Sequence, residues 1–271
     1  MHDDDGPISE VGEWALDKHA RLERYVDISR AVRRMFIGRA GATYIELFSG
    51  PGRSKVKSTG QLIMGSPVAA VSKAIEVNAP FTDVYLADSN AEFVAAAATR
   101  VKALGARVYP VVGPAEVTVH RIADRLSEFG LHFAFLDPFA LDPLPFTIIE
   151  RLAKLEHMDI LIHFSVYDLQ RRLHVYLDES NDVLDRVAPG WRAKVQVGAP
   201  DDVVRAQILD HWLELIRGLG MITAKGIPLV SGTQNQRLYW LVFVARHALA
   251  TDFWDKIRSI SPQRELPLFQ D

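Results

Sequence analysis

The chain has 271 residues, 48% of them hydrophobic and 24% charged, and a formal net charge of −3. This length and balance predict one large α/β domain with additions, because the chain can bury a substantial core. The absence of cysteine excludes disulfides, thiolate metal ligands and a cysteine nucleophile. The nine histidines show no His-Glu-x-x-His or comparable spacing, so we expect no metal site.

Strand-like and helix-like segments alternate through most of the chain. Residues 10–37 carry apolar side chains at helical spacing and predict an N-terminal helical extension. The predicted strands are 44–48, 83–87, 107–112, 132–136 and 159–165, and the predicted helices are 67–77, 91–104, 117–129, 146–155 and 203–219. Short apolar strands interleaved with amphipathic helices predict right-handed βαβ units and a mainly parallel sheet.

The last third of the chain differs, because only the polar turn SGTQNQ separates two strand candidates, 221–229 and 237–247. So short a connection holds no crossover helix, and the two strands are predicted to pair antiparallel. Parallel strands followed by such a hairpin are the strand plan of class I methyltransferases. We therefore predict a Rossmann-like α/β fold with a mainly parallel seven-stranded sheet, a C-terminal antiparallel hairpin and an N-terminal helical extension.

The chain is divided on this basis into three parts. Residues 1–40 form an N-terminal arm and helix, 41–260 a methyltransferase-like domain and 261–271 a tail. Within the domain, residues of about 167–200 are predicted to be an inserted helical or loop segment, of the kind that commonly grips a substrate. No apolar run reaches the roughly 20 residues of a membrane-spanning helix, and the start, MHDDDGPISE, is unlike a secretory signal. We expect a cytoplasmic protein that contacts no membrane.

The stretch TYIELFSGPGRS, residues 43–54, leads a strand into a turn with two glycines and places an acidic residue inside the strand. In open α/β sheets, ligands bind beyond the carboxyl ends of the strands. A P-loop would need Gly-Lys-Ser/Thr at this turn, and a dinucleotide turn would need a third glycine where this chain has Lys55. A ligand with a cationic amine and no phosphate fits better, and we predict S-adenosylmethionine (SAM), close to bare backbone. The cofactor-binding residues predicted here are Glu46, Phe48, Gly50 and Gly52.

The next two strands also end in ligand-type residues. Asp88, followed by Ser89, can accept both ribose hydroxyls, and Gly113 offers backbone beside an adenine. In a simpler interpretation Asp88 caps the following helix and the glycines only make tight turns. Three such ends on successive strands favour the cofactor site.

The fourth strand ends in LDPFA, residues 136–140. Proline restricts its own backbone and that of its neighbour, so Asp137-Pro138 holds a carboxylate and carbonyls rigidly. Such acceptors can orient an exocyclic amine towards a methyl donor, while Phe139 can stack on an extruded base. We predict Asp137, Pro138 and Phe139 as catalytic residues. The alternative is a strand-ending turn with a core phenylalanine.

This motif resembles the Asp-Pro-Pro-Tyr/Phe of amino-methylating nucleic-acid methyltransferases, without the second proline. It is nearer to the Asp-Pro-Phe-Gly of the tRNA guanine-N2 dimethyltransferases, with Ala140 in place of glycine.

An ordered set of short pieces resembles the three-Cys-motif partner family, TcmP. The pieces are Lys18-His19 ahead of Tyr25, YIELFSGPGR at 44–53, Gly65-Ser66-Pro67, LDPF at 136–139, Leu169-Gln170-Arg171 and YWLVF at 239–243. The resemblance implies a methyltransferase-like fold, usually in bacteria and their mobile elements, and a partner protein with a three-cysteine, radical-SAM-like motif. It also implies that Lys18, His19 and Arg171 are site residues. With the cationic cluster beside the glycine turn, the predicted substrate-binding residues are Arg53, Lys55, Ser66 and Arg171.

The tail, RELPLFQD at 264–271, resembles the Gln-Leu-x-Leu-Phe peptides with which bacterial replication proteins dock on the sliding clamp. On this interpretation Leu266–Phe269 would contact the clamp. The alternative is a tail that packs on its own domain or is disordered.

These features together predict a SAM-dependent methyltransferase that acts on DNA or RNA, at an exocyclic amine of a base. The alternative is a methyltransferase-like subunit without catalysis, which binds nucleic acid or the three-Cys-motif partner. An NAD-dependent oxidoreductase is disfavoured by the missing third glycine and by the terminal hairpin.

Overall fold

The computed structural model of the protein describes residues 4–227, 229–231 and 237–258. Its strands are β1 (Ser9–Val11), β2 (Ala42–Glu46), β3 (Arg53–Val56), β4 (Leu62–Met64), β5 (Asp83–Asp88), β6 (Val108–Val112), β7 (Leu131–Leu136), β8 (Met158–Ser165), β9 (Ile222–Thr223), β10 (Leu229–Ser231) and β11 (Arg237–Ala245). Its helices are α1 (Trp14–Ile28), α2 (Arg30–Ile37), α3 (Ser66–Glu76), α4 (Ala91–Lys102), α5 (Ala115–Ala123), α6 (Phe146–Leu152), α7 (Val166–Leu177), α8 (Val183–Val187), α9 (Asp201–Gly218) and α10 (Ala248–Arg258).

The central sheet confirms the predicted strand plan. Its order is β10-β11-β8-β7-β2-β5-β6, and β9 also pairs with β11. The five strands from β8 to β6 run parallel, whereas β11 is antiparallel to both β8 and β10. Because the chain proceeds from β2 to β5 on one side and later reaches β7 on the other, the order reverses at β2. A crevice for ligands is expected at the carboxyl ends of these strands.

Helices cover both faces of the sheet and give a three-layer α/β/α fold. One core cluster lies between the sheet and α5, α6, α7 and α9, and the other between the sheet and α1, α3, α4 and α10. Residues buried in these clusters come from the apolar stripe of each helix, as expected for amphipathic helices. No helix in the described part of the chain is both long and apolar enough to cross a bilayer.

The predicted strand 221–229 is two short strands, β9 and β10, which pair with the same edge of β11. The sheet thus has eight strands in seven positions. The interruption contains Lys225-Gly226, and glycine weakens the interior of a strand because it loses more conformational freedom and has no side chain to pack.

Two other segments differ from their predictions. Residues 53–66, where no strand was predicted, contain β3 and β4, which join β1 in a separate small sheet of order β1-β3-β4. Residues 10–37 are not one helical run, because β1 precedes α1 and a break at Ser29 separates α1 from α2. The Ser29 hydroxyl donates to the Tyr25 carbonyl (2.7 Å), a local bond that competes with regular helix geometry.

The segment predicted as an insertion, about 167–200, contains most of α7, then α8 and a short 3-10 turn at Trp191–Ala193. The domain boundaries at residues 40 and 260 remain predictions. Residues 261–271, with the predicted clamp-binding peptide, lie outside the described residues.

Candidate functional site

A cleft of about 720 Å³ opens at the carboxyl ends of β2, β5 and β7, and we call it the main cleft. Ser9 and Val11 of β1 form part of its wall, so the small sheet closes one side. The predicted site residues that line it are Phe48, Gly50, Asp88, Ser89, Asp137 and Phe139. The structure therefore brings together cofactor-binding and catalytic residues that were predicted from three separate strands.

The glycine turn after β2 is tied to the end of β5. The Gly50 amide donates to Asp88 Oδ2 (3.0 Å), and the Ser49 amide donates to the Ala87 carbonyl (2.9 Å). Asp88 Oδ1 accepts from the Asn90 amide (3.0 Å). Gly50 has a φ of 54°, a backbone conformation that favours glycine. Asp88 thus fixes the turn and still faces the main cleft.

A close contact between two glycines seats the same turn on α3. The Gly65 amide donates to the Gly52 carbonyl (2.9 Å). A Cβ atom on Gly65 would lie only 2.7 Å from the Gly52 carbonyl carbon. No side chain fits there, which explains why a glycine precedes Ser66-Pro67. Gly52 is not among the described residues that line the main cleft.

Glu46 is fully buried behind the turn. Its carboxyl group accepts hydrogen bonds from the Tyr44 hydroxyl and from Ser66 Oγ (2.8 Å). Burial raises the pKa of Glu46 well above its usual range, and these two hydrogen bonds oppose the shift only in part. Glu46 and Ser66 therefore form a buried pair that supports the turn, and neither is among the described residues lining the main cleft.

A second pocket, of about 280 Å³, adjoins the main cleft, and we call it the aromatic pocket. Trp14, Tyr167 and Tyr239 line it, and Val11, Asp137 and Phe139 line both cavities. The side chain of Phe139 is 86% exposed, so it is not a core residue. An exposed ring where two cavities meet offers a stacking surface.

Three charged or titratable side chains meet at the same boundary. Lys18 Nζ of α1 donates to both oxygens of Asp137 (2.6 and 2.5 Å), and His163 Nδ1 of β8 lies 2.6 Å from Asp137 Oδ1. Burial raises the pKa of Asp137, but Lys18 and His163 outweigh it and hold that pKa well below its usual range. Burial lowers the pKa of His163, with Asp137 opposing and Lys18 adding to the shift. The carboxylate is therefore charged, and the imidazole is uncharged at neutral pH.

The loop that carries Asp137 and Phe139 is held from α7. Asp168, near the start of α7, accepts from the Leu141 amide (2.9 Å) and from the Tyr176 hydroxyl (2.6 Å). The side chain of Asp168 is itself buried, and its backbone amide donates to the Ser165 hydroxyl that caps the helix (3.3 Å). These bonds fix the end of the DPFA segment.

Pro138 lines the aromatic pocket, whereas Arg53, Lys55 and Arg171 are not among the described residues that line either cavity. Arg53 is buried and donates to the Asp4 carbonyl (3.3 Å). Lys55 is exposed on β3. Arg171 is exposed on α7, with its guanidinium carbon 5.2 Å from the ring centre of Tyr167 at the aromatic pocket.

Two further predicted residues lie beside the site. The Gly113 amide donates to the Asp88 carbonyl (3.0 Å), which ties the end of β6 to the end of β5. His19 is partly exposed beside Lys18, and burial followed by the charge of Lys18 lowers its pKa.

The sequence analysis missed His163, Trp14 and Tyr167. His163 had a usable signal, since it is a single polar residue near the carboxyl end of the buried strand MDILIHFS. Asp88 and Asp137 were predicted because each is a polar residue at the carboxyl end of a buried strand, and the same criterion applies to His163. Trp14 and Tyr167 belong to α1 and α7, where an aromatic residue ordinarily indicates core packing. In the part of the chain described, no three histidine or acidic side chains group as metal ligands would.

No family model and no curated protein matches the sequence. Among solved structures, the chain is similar to protein LPL1258 of Legionella pneumophila, with a TM-score of 0.51 and 10% identity over 89% of this chain and 91% of that one. It is also similar to an O-methyltransferase from Bacillus cereus in complex with S-adenosylhomocysteine (SAH), with a TM-score of 0.49 and 11% identity over 88% and 83% of the two chains. Trm1 from Pyrococcus horikoshii, crystallised with SAM, has a TM-score of 0.47 and 10% identity over 87% of this chain and 57% of that one. At this level of identity, the likeness to the Legionella protein shows a shared fold.

Proposed function

We propose that the protein is a SAM-dependent methyltransferase. The observation that carries this proposal is the meeting of two cavities at Asp137 and Phe139. A donor in the main cleft and an acceptor in the aromatic pocket would touch at that boundary. The sheet order also supports this function. Its reversal at β2 and its antiparallel β11 match the strand plan of class I methyltransferases.

The main cleft is the proposed cofactor site. Asp88, with Ser89 beside it, would accept the ribose hydroxyls, while Gly50 and Phe48 would lie against the methionine moiety. Glu46, Gly52 and Gly113 would support this site from behind, through the bonds to Ser66, Gly65 and Asp88. The solved O-methyltransferase and Trm1 structures, which hold SAH and SAM, are consistent with this choice of cofactor.

The aromatic pocket is the proposed acceptor site, and a nucleic-acid base with an exocyclic amine is the proposed acceptor. Phe139 offers one stacking face and Tyr167 a second aromatic surface. Exposed cationic side chains at Arg171 and Lys55 could contact the phosphate backbone. Asp137 is the acceptor for an amine hydrogen bond, since a carboxylate oxygen can accept more than the bonds from Lys18 and His163.

Transfer would depend mainly on alignment. The sulfonium of SAM is already an excellent leaving group, so the protein must hold the acceptor lone pair in line with the methyl group. The rigid Asp137-Pro138 turn, fixed by Asp168 through Leu141, suits that task.

The test measures transfer from tritiated SAM to mixed DNA oligonucleotides and to a tRNA pool, with Phe139→Ala and Phe129→Ala as matched variants. Phe129 is also exposed, at 67%, but it precedes β7, whereas Phe139 follows that strand. Because stacking on an aromatic ring contributes about 1–3 kcal/mol per base, Phe139→Ala should reduce kcat/KM roughly 5- to 150-fold. SAH affinity should fall by a smaller factor than kcat/KM, because Phe139 also borders the main cleft, and Phe129→Ala should behave as the wild type. Full activity of Phe139→Ala would refute the proposed acceptor site.

The competing function is a non-catalytic subunit that works with a three-Cys-motif partner. It shares the fold and the aromatic pocket, but it needs no SAM. A folded protein that binds no SAH would favour it.

A further inference from the structure

We propose that His163 accepts the proton that the acceptor nitrogen loses during methyl transfer, and that Asp137 is the positioning residue that orients the imidazole ring. The inference rests on the proposed function and assigns it a catalytic base. It is argued from the contacts of His163, a residue that no motif in the sequence singled out.

The geometry leaves one ring nitrogen for chemistry. His163 Nδ1 lies 2.6 Å from Asp137 Oδ1, and an ionised carboxylate can only accept, so Nδ1 carries the hydrogen. Nε2 of the uncharged ring then holds a lone pair. His163 lines the aromatic pocket, which is where the acceptor would sit. The same division of labour between a carboxylate and an imidazole occurs in the hydrolase triads.

The groups packed around the ring favour this state. Lys18, from α1, donates to both oxygens of Asp137 and keeps the carboxylate an acceptor. Tyr239, from β11, lies with its ring centre 4.1 Å from that of His163. Burial raises the pKa of Tyr239 well above its usual range, so it stays uncharged. Glu10 of β1 and Tyr167 of α7 are the other ionisable residues among those described on the pocket wall.

Asp137 is a poor base in comparison. Its two oxygens already receive three short bonds from Lys18 and His163. The same contacts hold its pKa well below the usual range, so a proton placed on it would be lost again. The imidazole is the group near this boundary whose basicity suits proton transfer near neutral pH.

The chemical step balances without another reactant. The nitrogen lone pair of the acceptor forms the N–C bond to the methyl group, and the S–C bond breaks with its electron pair going to sulfur. The products are the thioether SAH and a methylated amine whose extra proton passes to His163 Nε2. The imidazolium, stabilised by Asp137, then releases that proton to solvent.

The first test is independent of the acceptor. Long-range ¹H–¹⁵N NMR of ¹⁵N-histidine protein at pH 8 reports which ring nitrogen is protonated, and the signals missing in His163→Asn assign this residue. The expected result is a neutral ring with hydrogen on Nδ1 and a bare Nε2. A hydrogen on Nε2, or a charged ring at pH 8, would overturn the proposal.

The second test is kinetic. In His163→Asn, the amide can still donate to Asp137 while the base is gone. With DNA oligonucleotides or tRNA as the probe, kcat at pH 7.5 should fall by roughly 10²–10⁴-fold with unchanged SAH affinity. The wild-type kcat should rise with pH and level off near neutrality, because burial lowers the pKa of His163. His163→Asn should show no such plateau in kcat. In Asp137→Asn, the pH at which kcat levels off should change. A His163→Asn variant with the wild-type rate and pH profile would overturn this inference and leave the proposed function standing. A wild-type protein that binds no SAH would overturn the proposed function.

Discussion

Two aspartates, one just after β7 and one in β8, have pKa values shifted in opposite directions because their partners differ. Asp137 follows β7 and faces Lys18 and His163, which outweigh burial and keep its pKa low. Asp159, in β8, has the Tyr25 hydroxyl as hydrogen-bond donor (2.5 Å), and burial raises its pKa to about 7. One carboxyl group is therefore held charged at the site, while the other, at the opposite edge of the sheet, is only partly ionised near pH 7.

Asp159→Asn should stabilise the protein, and more so at higher pH. The folded-state pKa lies above the unfolded value, so ionisation of Asp159 costs stability progressively as pH rises from about 4 through 7. Asparagine can still accept from Tyr25 and does not ionise. Urea unfolding should show a gain in unfolding free energy that is roughly 2 kcal/mol larger at pH 8 than at pH 5. The exposed Asp124→Asn is the control, and an equal gain at both pH values would contradict this assignment.

Lys18→Met should destabilise the protein strongly at neutral pH. The variant leaves Asp137 without its cation, and the side chains of this pair are only 8% and 19% exposed. Breaking such a pair costs about 3 kcal/mol. Because Lys18 lowers the pKa of Asp137, its contribution is present above the unfolded pKa and is lost as pH falls below about 4.

The control for Lys18 is Arg107→Met, which breaks a more exposed pair with Asp83, 3.5 Å apart. That change should cost less than about 1 kcal/mol. Equal losses in unfolding free energy for the two variants at pH 7 would contradict a buried ion pair at the site.

Among the elements, the small sheet of β1, β3 and β4 has the most direct effect on the site. Parallel pairing of Ser9 with Ser54 and of Val11 with Val56 brings the N-terminal arm over the main cleft. Arg100 of α4 strengthens this link, since it pairs with Asp4 and donates to the Pro7 and Pro51 carbonyls (2.9 and 2.6 Å). The arm and the glycine turn are thus joined through one guanidinium group.

Gly65→Ala tests the close backbone contact between Gly65 and Gly52 of the glycine turn. The added methyl group would meet Gly52 backbone atoms at 2.7 and 2.8 Å, and backbone cannot rotate away as a side chain can. We expect a loss of about 2–3 kcal/mol in unfolding free energy and weaker SAH binding. Gly218→Ala is the matched control, because a methyl group added there would have no atom within 4 Å beyond the backbone of its own helix and its chain neighbours. That control should be neutral or stabilising by up to about 1 kcal/mol, and equal effects would show that the contact is not tight.

At the scale of the whole molecule, local patterns were sufficient for the central sheet. Alternation of apolar strands and helices, with one connection too short for a helix, correctly predicted a mainly parallel sheet with an antiparallel pair at its C-terminal edge. The small sheet was not predictable in this way, because β1 and β3 are three and four residues long and pair across a long separation in sequence. The contact between His163 and Asp137 was not predictable from local patterns either, because the two residues belong to different strand ends.

The residues of the candidate site lie at one edge of the central sheet. The carboxyl ends of β2, β5 and β7, the arm from β1 and the loop fixed by α7 all meet around two adjoining cavities. Phe139 and Asp137 lie where the cavities join, and His163 faces the aromatic pocket. The tail, the sliding clamp and the three-Cys-motif partner remain predictions.

The central claim is that the main cleft binds the methyl donor. The most direct measurement is calorimetric titration of the purified protein with SAH, alongside Asp88→Ala and the control Glu92→Gln, an exposed residue on α4 outside the described lining of the cleft. We predict a dissociation constant on the order of micromolar, at least about tenfold weaker binding for Asp88→Ala, and no change for Glu92→Gln. A folded wild-type protein that binds no SAH would contradict the account, and the non-catalytic subunit would then be the better description.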